Sequence, residues 1–386
     1  MSKQNIAAVI IFISTLIVSF FSFMVSAADN KQVDIVINQV KDNFWVLHGG
    51  DGLGANVGVS VGDDGIILID AMNQGIGTQL IKTIRKISNK PIKYVINTHH
   101  HGDHNGGNPE LVAAGATVIY PNYLKYTPYQ GVNRDIQFKG NMTFKANNEV
   151  FTLYHVKSHT WNDVIVHLAN DNVIFTGDNH ATNWGPNVGV LGYLGHRKIM
   201  DLIISLSDDK TLIVPGHKEL ADLTQLKQYD NKTKQWFEQI LSLHQQGLSP
   251  EEIAKNDKVS ALFRWFHQGV FPKWLSQQGY IDRILATTMM DMSSNILLSA
   301  RQQNKYLGKY QLLDGSIIEI TAENNSLFAY KKDDFMVNLL PKSKSVLAFN
   351  GWTAQEQFRF EFNQTGQVTS LSFQVNGKVQ FTAQPM

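Results

Sequence analysis

Cysteine is absent from all 386 residues, which excludes disulfides and thiolate metal ligands at once. Any metal site in the chain must therefore be assembled from His, Asp and Glu. An excess of one charge is absent too: 34 Lys and Arg stand against 33 Asp and Glu, for a net charge of +1. That balance gives no footprint for nucleic acid and no polybasic patch for a membrane surface. No internal repeat and no low-complexity segment interrupts the chain.

One long apolar run opens the chain, from Ile6 to Phe23. Lys3 is the only charge before it, and Val25-Ser26-Ala27 follows as a small-residue cleavage site. Residues 1–27 read as a secretory signal, which predicts a periplasmic or secreted protein with no stable membrane contact after cleavage. An uncleaved membrane anchor is the alternative, because the run approaches the length of a span. No cysteine follows it to carry a lipid. Removing Lys3 with the signal leaves 33 basic and 33 acidic residues.

What remains is long enough for two or three domains with ample core. From about Val33 to Lys218 short strands alternate with helices. Val33 to Ile37 and Phe44 to Leu47 read as strands, and Gly58 to Val61 and Ile66 to Asp70 as a hairpin around Gly62-Asp63-Asp64-Gly65. Gln79 to Ile87 reads as an amphipathic helix, Ile92 to Ile96 as a buried strand, Pro109 to Ala114 as a short helix and Thr117 to Tyr120 as a strand. Later strands are Met142 to Phe144, Phe151 to His155, Val164 to His167, Val173 to Thr176 and Thr211 to Val214. This mixture predicts a layered α/β domain. Asp222 to Arg301 reads as helical throughout, with a capping-type start at Ser249-Pro250-Glu251-Glu252. From Tyr306 onward, alternating strands turn at Asp314-Gly315, Asn324-Asn325, Thr365-Gly366 and Asn376-Gly377, as in a small all-β domain. The expected organisation is a signal at 1–27, a catalytic domain at 28–235, a helical segment at 236–303 packing on it and a β domain at 304–386.

The densest chemistry lies in Thr98-His99-His100-His101-Gly102-Asp103-His104, directly after the strand ending at Ile96. Backbone alternation puts His99 and His101 on one side, where they can share an ion, while Asp103 and His104 beyond the glycine can face a second. His100 points away. Three further segments each place a polar ligand at the end of an apolar strand: Ser158-His159-Thr160, Thr176-Gly177-Asp178 and Pro215-Gly216-His217. Glycine beside a ligand lets the chain turn without a side chain blocking the ion. His155 and His167 sit in strands and read as structural. His180 and His196 are candidates for the substrate side, and Trp161, Trp184 and Tyr193 for the pocket wall.

Taken in order, Asp70, the His-x-His-x-Asp-His at 99–104, His159, Asp178 and His217 resemble the motifs of the metallo-β-lactamase fold superfamily, over roughly residues 33–218. The resemblance implies an αβ/βα four-layer sandwich with the site along one edge between its two sheets, here followed by the helical segment and the small all-β domain. It implies that His99, His101 and His159 hold one divalent ion, that Asp103, His104 and His217 hold a second, and that Asp178 bridges them. Asp70 would orient the site without ligating. Zinc is the first choice of metal, with manganese or iron acceptable to the same donors. In this chemistry two ions share a water, lower its pKa and present hydroxide to a carbonyl or phosphoryl centre. Asp103, beside that water in the family, would accept or relay the proton and is the expected catalytic residue.

Lactamases of the commonest subclass use a Cys on the second ion, which this chain does not have. Asp178 instead matches the bridging Asp of branches that resemble glyoxalase II and lactonases. The implied activity is a secreted dinuclear hydrolase of an ester, thioester, lactone or related bond in a small-molecule substrate. A Cys-less lactamase subclass that keeps His-x-His-x-Asp-His is the alternative. A di-iron redox protein is a weaker one, since that branch carries Glu where this chain has His101. The sequence is compatible with a homo-oligomer and does not decide whether the C-terminal β domain dimerises, binds substrate or simply stabilises.

Overall fold

The computed structural model describes residues 34–49, 52–122, 133–186, 188–268, 276–293, 298–323, 326–332, 335–350 and 356–386. The expected signal at 1–27 and the turn Asn324-Asn325 lie outside these residues.

Two sheets carry the first part of the chain. The first has seven strands in sequence order: β1 (Ile35–Lys41), β2 (Phe44–Gly49), β3 (Val57–Gly62), β4 (Gly65–Ile69), β5 (Ile92–Ile96), β6 (Thr117–Pro121) and β7 (Asp135–Phe138). β1 to β4 form an antiparallel meander, and β4 to β7 run parallel. The connections after β4 and β5 carry α1 (Gly77–Ile84), α2 (Gly102–Asn105) and α3 (Asn108–Ala113). The second sheet runs β12 (Leu212–Pro215), β11 (Val173–Gly177), β10 (Asp163–Leu168), β9 (Glu149–Val156), β8 (Asn141–Ala146), with α4 (Gly192–Leu206) crossing from β11 to β12.

Side-chain alternation assigns the layers. In β4 every residue is buried, yet Ile66 and Leu68 face one core while Ile67 and Ile69 face another. The Ile66 side packs under Leu80 and Ile84 of α1 and Leu111 of α3. The Ile67 side meets Phe151, Leu153, Val164, Val166 and Phe175 of the second sheet, forming the centre of the sandwich. The far face of that sheet, Ile165, Ile174 and Ile213, is covered by Ile199, Met200 and Ile203 of α4. Four layers result, and the segment has the metallo-β-lactamase fold.

The helical segment is α5 (Leu223–Gln245), α6 (Pro250–Ala254), α7 (Asp257–His267), α8 (Gln277–Ser293) and α9 (Ala300–Gln303). It is not one continuous run. Ser249 caps α6 in a reciprocal box with Glu252, and Asn256 caps α7. These helices enclose their own core around Trp236, Phe237, Phe263, Phe266 and Tyr280. The expected boundary between 235 and 236 falls inside α5.

The C-terminal strands, β13 (Gly308–Leu312), β14 (Ile317–Glu323), β15 (Ser326–Lys331), β16 (Phe335–Ser343), β17 (Val346–Asn350), β18 (Glu356–Phe362), β19 (Val368–Val375) and β20 (Lys378–Pro385), close into an up-and-down barrel when β20 pairs with β13. The Asn376-Gly377 turn joins β19 to β20 with both residues at positive φ, 51° and 74°. Closure removes the exposed edges that an open sheet would keep. Tyr306, Tyr310, Phe358 and Phe360 fill the interior. Residues 34–386 group as one compact unit.

Three elements depart from the sequence reading. The first helix spans 77–84 rather than 79–87; its end is set at Arg85, with Ile87 in a following turn. The short strand β7 and the 15-residue helix α4 were not expected. Gly192, Tyr193 and Gly195 in the first turn of α4 dilute its helical signal, which packing on the second sheet overrides.

Candidate metal centre

The polar candidates follow the C-terminal ends of strands. Asp70 follows β4, His99 to His104 follow β5, His159 follows β9, Asp178 follows β11 and His217 follows β12. Strands fixed by two cores hold these loops in place.

Two groups form there. His99, His101, His159 and Asp178 make one, and Asp103, His104 and His217 the other; within each group the donor atoms lie within 4.8 Å of one another. In the first, His101 Nδ1 is 3.0 Å from His99 Nε2 and 3.0 Å from His159 Nε2. Nitrogens roughly 3 Å apart suit one small ion, since tetrahedral zinc with bonds of about 2.0–2.1 Å spaces its ligands at about 3.3 Å. In the second, His217 Nε2 is 3.2 Å from Asp103 Oδ2. Asp178 stands between: its Oδ1 is 3.1 Å from His104 Nε2 and 3.3 Å from His217 Nε2, while its Oδ2 is 3.6 Å from His159 Nε2. One oxygen of a single carboxylate faces each group.

The donors fit divalent cations. His104 Nε2, His217 Nε2 and Asp178 Oδ1 are buried and close together, yet none has an aligned hydrogen-bond partner. Orphaned polar atoms of this kind cost free energy unless another group satisfies them. Their lone pairs converge, as ligation requires. The protonation states agree for the first group. Burial depresses His99, His101 and His159, leaving neutral imidazoles ready to ligate. In the second group burial would depress His104, but Asp178, Asp70 and Asp103 together raise it. Burial alone would raise Asp103, yet His104 and His217 hold it down at about 2. The same opposition holds Asp178 well below the usual carboxylate range, with His217 and His104 as the cations. A metal ion would take the place of those protons. Asp103 is also the more open carboxylate, with its side chain 35% exposed against 11% for Asp178, so it can meet solvent at the mouth.

The support for these ligands is specific. Asp70 is buried at φ 66° and accepts the Thr98 N–H at 2.7 Å, the Thr98 hydroxyl at 2.7 Å and His104 Nδ1 at 2.8 Å. The bond to Nδ1 turns His104 Nε2 toward Asp178. Asp70→Ala strands the Thr98 N–H and His104 Nδ1. The expected cost is about 3 kcal/mol of stability, with affinity for one metal weakened by about 10- to 100-fold, checked by urea unfolding and metal titration. Gly216 is required by Asp178, because a Cβ there would stand 2.2 Å from Asp178 Oδ1. Asn56 holds the His217 turn by donating to the carbonyls of Pro215 and Lys218 at 2.9 and 3.0 Å. Asp163 fixes the His159 turn, accepting from the Thr160 N–H at 3.0 Å and the Thr160 hydroxyl at 2.5 Å. Burial outweighs these bonds and pushes Asp163 up to about 7.

The sequence reading passed over Asn56, Asp163 and Arg283. Arg283 is a buried cation on α8, 8% exposed, whose charge lowers the basicity of both His101 and His159. An amphipathic helix pattern gives no hint that one of its arginines faces a site on another layer. Trp184 lies edge-on to His217 with ring centres 5.3 Å apart. The helical segment thus packs on the sandwich and also contributes to the site.

The remaining candidates separate. His100 is edge-on to His101 and joins neither group. His155 Nε2 lies 3.0 Å from the Trp161 carbonyl, and His167 is half-buried in β10. His180 and His196 do not reach a substrate side: they are 1% and 0% exposed, His180 packed on Tyr229. α4 turns His196 inward, and sequence periodicity alone did not reveal that face. Tyr193 stacks on Phe237 in the helical core, and Trp161 docks on the barrel.

Residues 50–217 match the metallo-beta-lactamase superfamily. The chain is similar to a metallo-beta-lactamase type 2 of Bacillus cereus, 24% identical over 218 residues that cover 50% of this chain and 80% of the relative. It is similar to a hydroxyacylglutathione hydrolase of Methylococcus capsulatus, 30% identical over 142 residues, covering 36% of this chain and 48% of that protein. An atrochrysone carboxyl ACP thioesterase of Aspergillus fumigatus is 31% identical over 131 residues, 32% of this chain and 29% of the relative. Among solved structures, a metallo-beta-lactamase from Pontibacter korlensis matches with a TM-score of 0.43 and 17% identity over 50% of this chain and 96% of its own.

Proposed function

We propose that this chain is an exported dinuclear metal-dependent hydrolase of an ester, thioester or lactone. The observation that carries the reading is the Asp178 carboxylate, with one oxygen toward each of two histidine groups. His99, His101 and His159 would hold one ion, Asp103, His104 and His217 the other, and Asp178 both. When bound, such ions supply a nucleophile from water at neutral pH and polarise the substrate's oxygen. The chain's own residues do the rest. Asp103, held as a carboxylate by His104 and His217 and open to the mouth, accepts the nucleophile's proton. Asp70 fixes the tautomer of His104. Trp184 walls the side near His217.

An oxygen of Asp178 at the second group does the work that a thiolate does in lactamases with a Cys ligand. Together with similarity to a thioesterase and a hydroxyacylglutathione hydrolase, this favours acyl esters and thioesters. Similarity to lactamases over 80% of their length supports the lactam reading as the second one. Arg283 adds a preference: a buried guanidinium beside the first group rewards a substrate carrying a negative charge near its scissile bond.

The test is the mature protein, metal content measured in parallel, assayed on a thioester, an acyl lactone, an aryl ester with and without a free carboxylate, a phosphodiester, an aryl sulfate and nitrocefin. Turnover of the acyl substrates with about two ions per chain is expected. Nitrocefin alone turning over would replace this reading with the lactam one. Arg283→Met is expected to reduce the preference for the carboxylate-bearing ester over its neutral partner by about tenfold, the loss of one charge-assisted contact of about 1.5 kcal/mol. An unchanged ratio would remove Arg283 from substrate recognition.

A further inference from the structure

The C-terminal barrel lies outside the superfamily match, which ends at residue 217. It nevertheless reaches the turn that carries His159. Trp161 is two residues beyond His159 and is 8% exposed. Its ring does not belong to either core of the sandwich. It packs edge-on against Phe328 of β15 at 5.4 Å and 80°, in a cluster with Met336 of β16 and with Val190 and Leu191. Among the described residues this is the hydrophobic cluster that draws on both the sandwich and the barrel. Beside it the two bodies stand apart around a cavity of about 1100 Å³, lined by His155 and Lys157 on one side and Glu319 and Thr321 on the other. Close apolar packing across the junction is therefore concentrated at Trp161.

The turn that Trp161 belongs to is gripped from several directions. Asp163 holds the Thr160 amide and hydroxyl. Gly189 lies so close that a Cβ there would stand 2.0 Å from the His159 carbonyl oxygen, so the segment carrying Val190 and Leu191 lies on the His159 backbone. His155 meets the Trp161 carbonyl, and the Lys157 ammonium sits 6.0 Å from its ring centre. The outward anchor of the turn is supplied by the barrel.

We infer that the barrel is a brace for the first metal group: Phe328, through Trp161, is a positioning residue that holds His159 against His101 and Asp178. This rests on His99, His101 and His159 being one ion's ligands. A turn released from its anchor moves His159 relative to two donors on other strands, and small displacements of a ligand cost affinity directly. His217, His104 and Asp103 hang from other strand ends.

The experiment is cobalt(II) and zinc titration of the full mature chain, wild type against Phe328→Ala, with Phe328→Leu as the conservative variant. Phe358→Ala in the barrel core, outside the Trp161 cluster, is the control. All are compared where circular dichroism shows them folded. Phe328→Ala is expected to weaken one of the two ions by about 10- to 100-fold and to alter the cobalt spectrum of that ion alone, with Phe328→Leu recovering most of the affinity and Phe358→Ala leaving it intact. Unchanged affinities in Phe328→Ala, or equal weakening of both ions in Phe328→Ala and Phe358→Ala, would overturn the brace. If the wild type binds a single ion, the two-ion reading fails instead, and the brace still requires Phe328→Ala to weaken that ion.

Discussion

Replacing Asp178 with alanine is expected to leave a folded protein that binds at most one ion tightly and turns over its substrate on the order of 10³-fold more slowly. The reason is geometric. Asp178 is the residue whose two oxygens face both histidine groups, at 3.1 Å and 3.3 Å on one side and 3.6 Å on the other. A metal acting as a Lewis acid supplies several kcal/mol of transition-state stabilisation, and each increment of about 1.4 kcal/mol is tenfold in rate, so losing one ion predicts that scale. His101→Ala should lower activity comparably by opening the first group, since His101 Nδ1 meets both His99 and His159. Metal analysis alongside steady-state kinetics checks both. Asp178→Ala with two bound ions and ordinary turnover would end the bridging assignment.

The second large effect is on stability in acid. His180 and His196 are buried, and burial lowers them to about 3 and about 4 from 6.5. A folded-state value below the unfolded one means that the unfolded chain binds the extra proton. Stability is thus full above pH 6.5 and is lost as pH falls through 6.5 toward 4. Each group contributes about 1.4 kcal/mol per pH unit in that window, so the pair removes about 5 kcal/mol between pH 6.5 and 4.5. That is a large share of a typical folding free energy of about 5–15 kcal/mol. In metal-free protein His99, His101 and His159 add to the loss in the same direction. His104 does not oppose it there: its raised value keeps its contribution whole below 6.5 and loses it only at higher pH. Asp103, held at about 2, loses its contribution only below about 4. Urea midpoints at pH 6.5, 5.5 and 4.5, with and without EDTA, measure the slope. Asp163, pushed up to about 7, works the other way and offsets about 2–3 kcal/mol of that loss across the same window, so a net fall of about 2–3 kcal/mol is expected in metal-loaded protein. A profile rising toward acid would mean that His180 and His196 are hydrated and not buried.

The site was legible because its ligands are attached to strand ends that the sequence marks. His99, His101, Asp103 and His104 fall within six consecutive residues shortly after β5, and each later proposed ligand follows a short apolar strand and a glycine or small residue. All seven proposed ligands fall into the two groups. Of what holds them, Asp70 was legible and the rest was not. Asn56 reaches the His217 turn across more than 150 residues, and Asp163 acts on a turn that it follows by three. Neither leaves a pattern that differs from an ordinary polar residue at a strand end. The helix α4 escaped for another reason: its propensity is poor, and it exists because Ile199, Met200 and Ile203 cover the second sheet.

The sequence by itself determined the kind of chemistry. Without cysteine, a metal site had to come from imidazole and carboxylate, and their order at strand ends implied two ions. Alternation and turn residues likewise determined a layered α/β body and a β tail, because those signals are local. Only the tertiary structure decided which donors lie together, that Asp178 faces both groups, that Arg283 of α8 places a charge near the first, and that the tail closes into a barrel seated on Trp161. Those are contacts between segments far apart in the chain, and nothing in local spacing encodes the angle at which two buried layers meet.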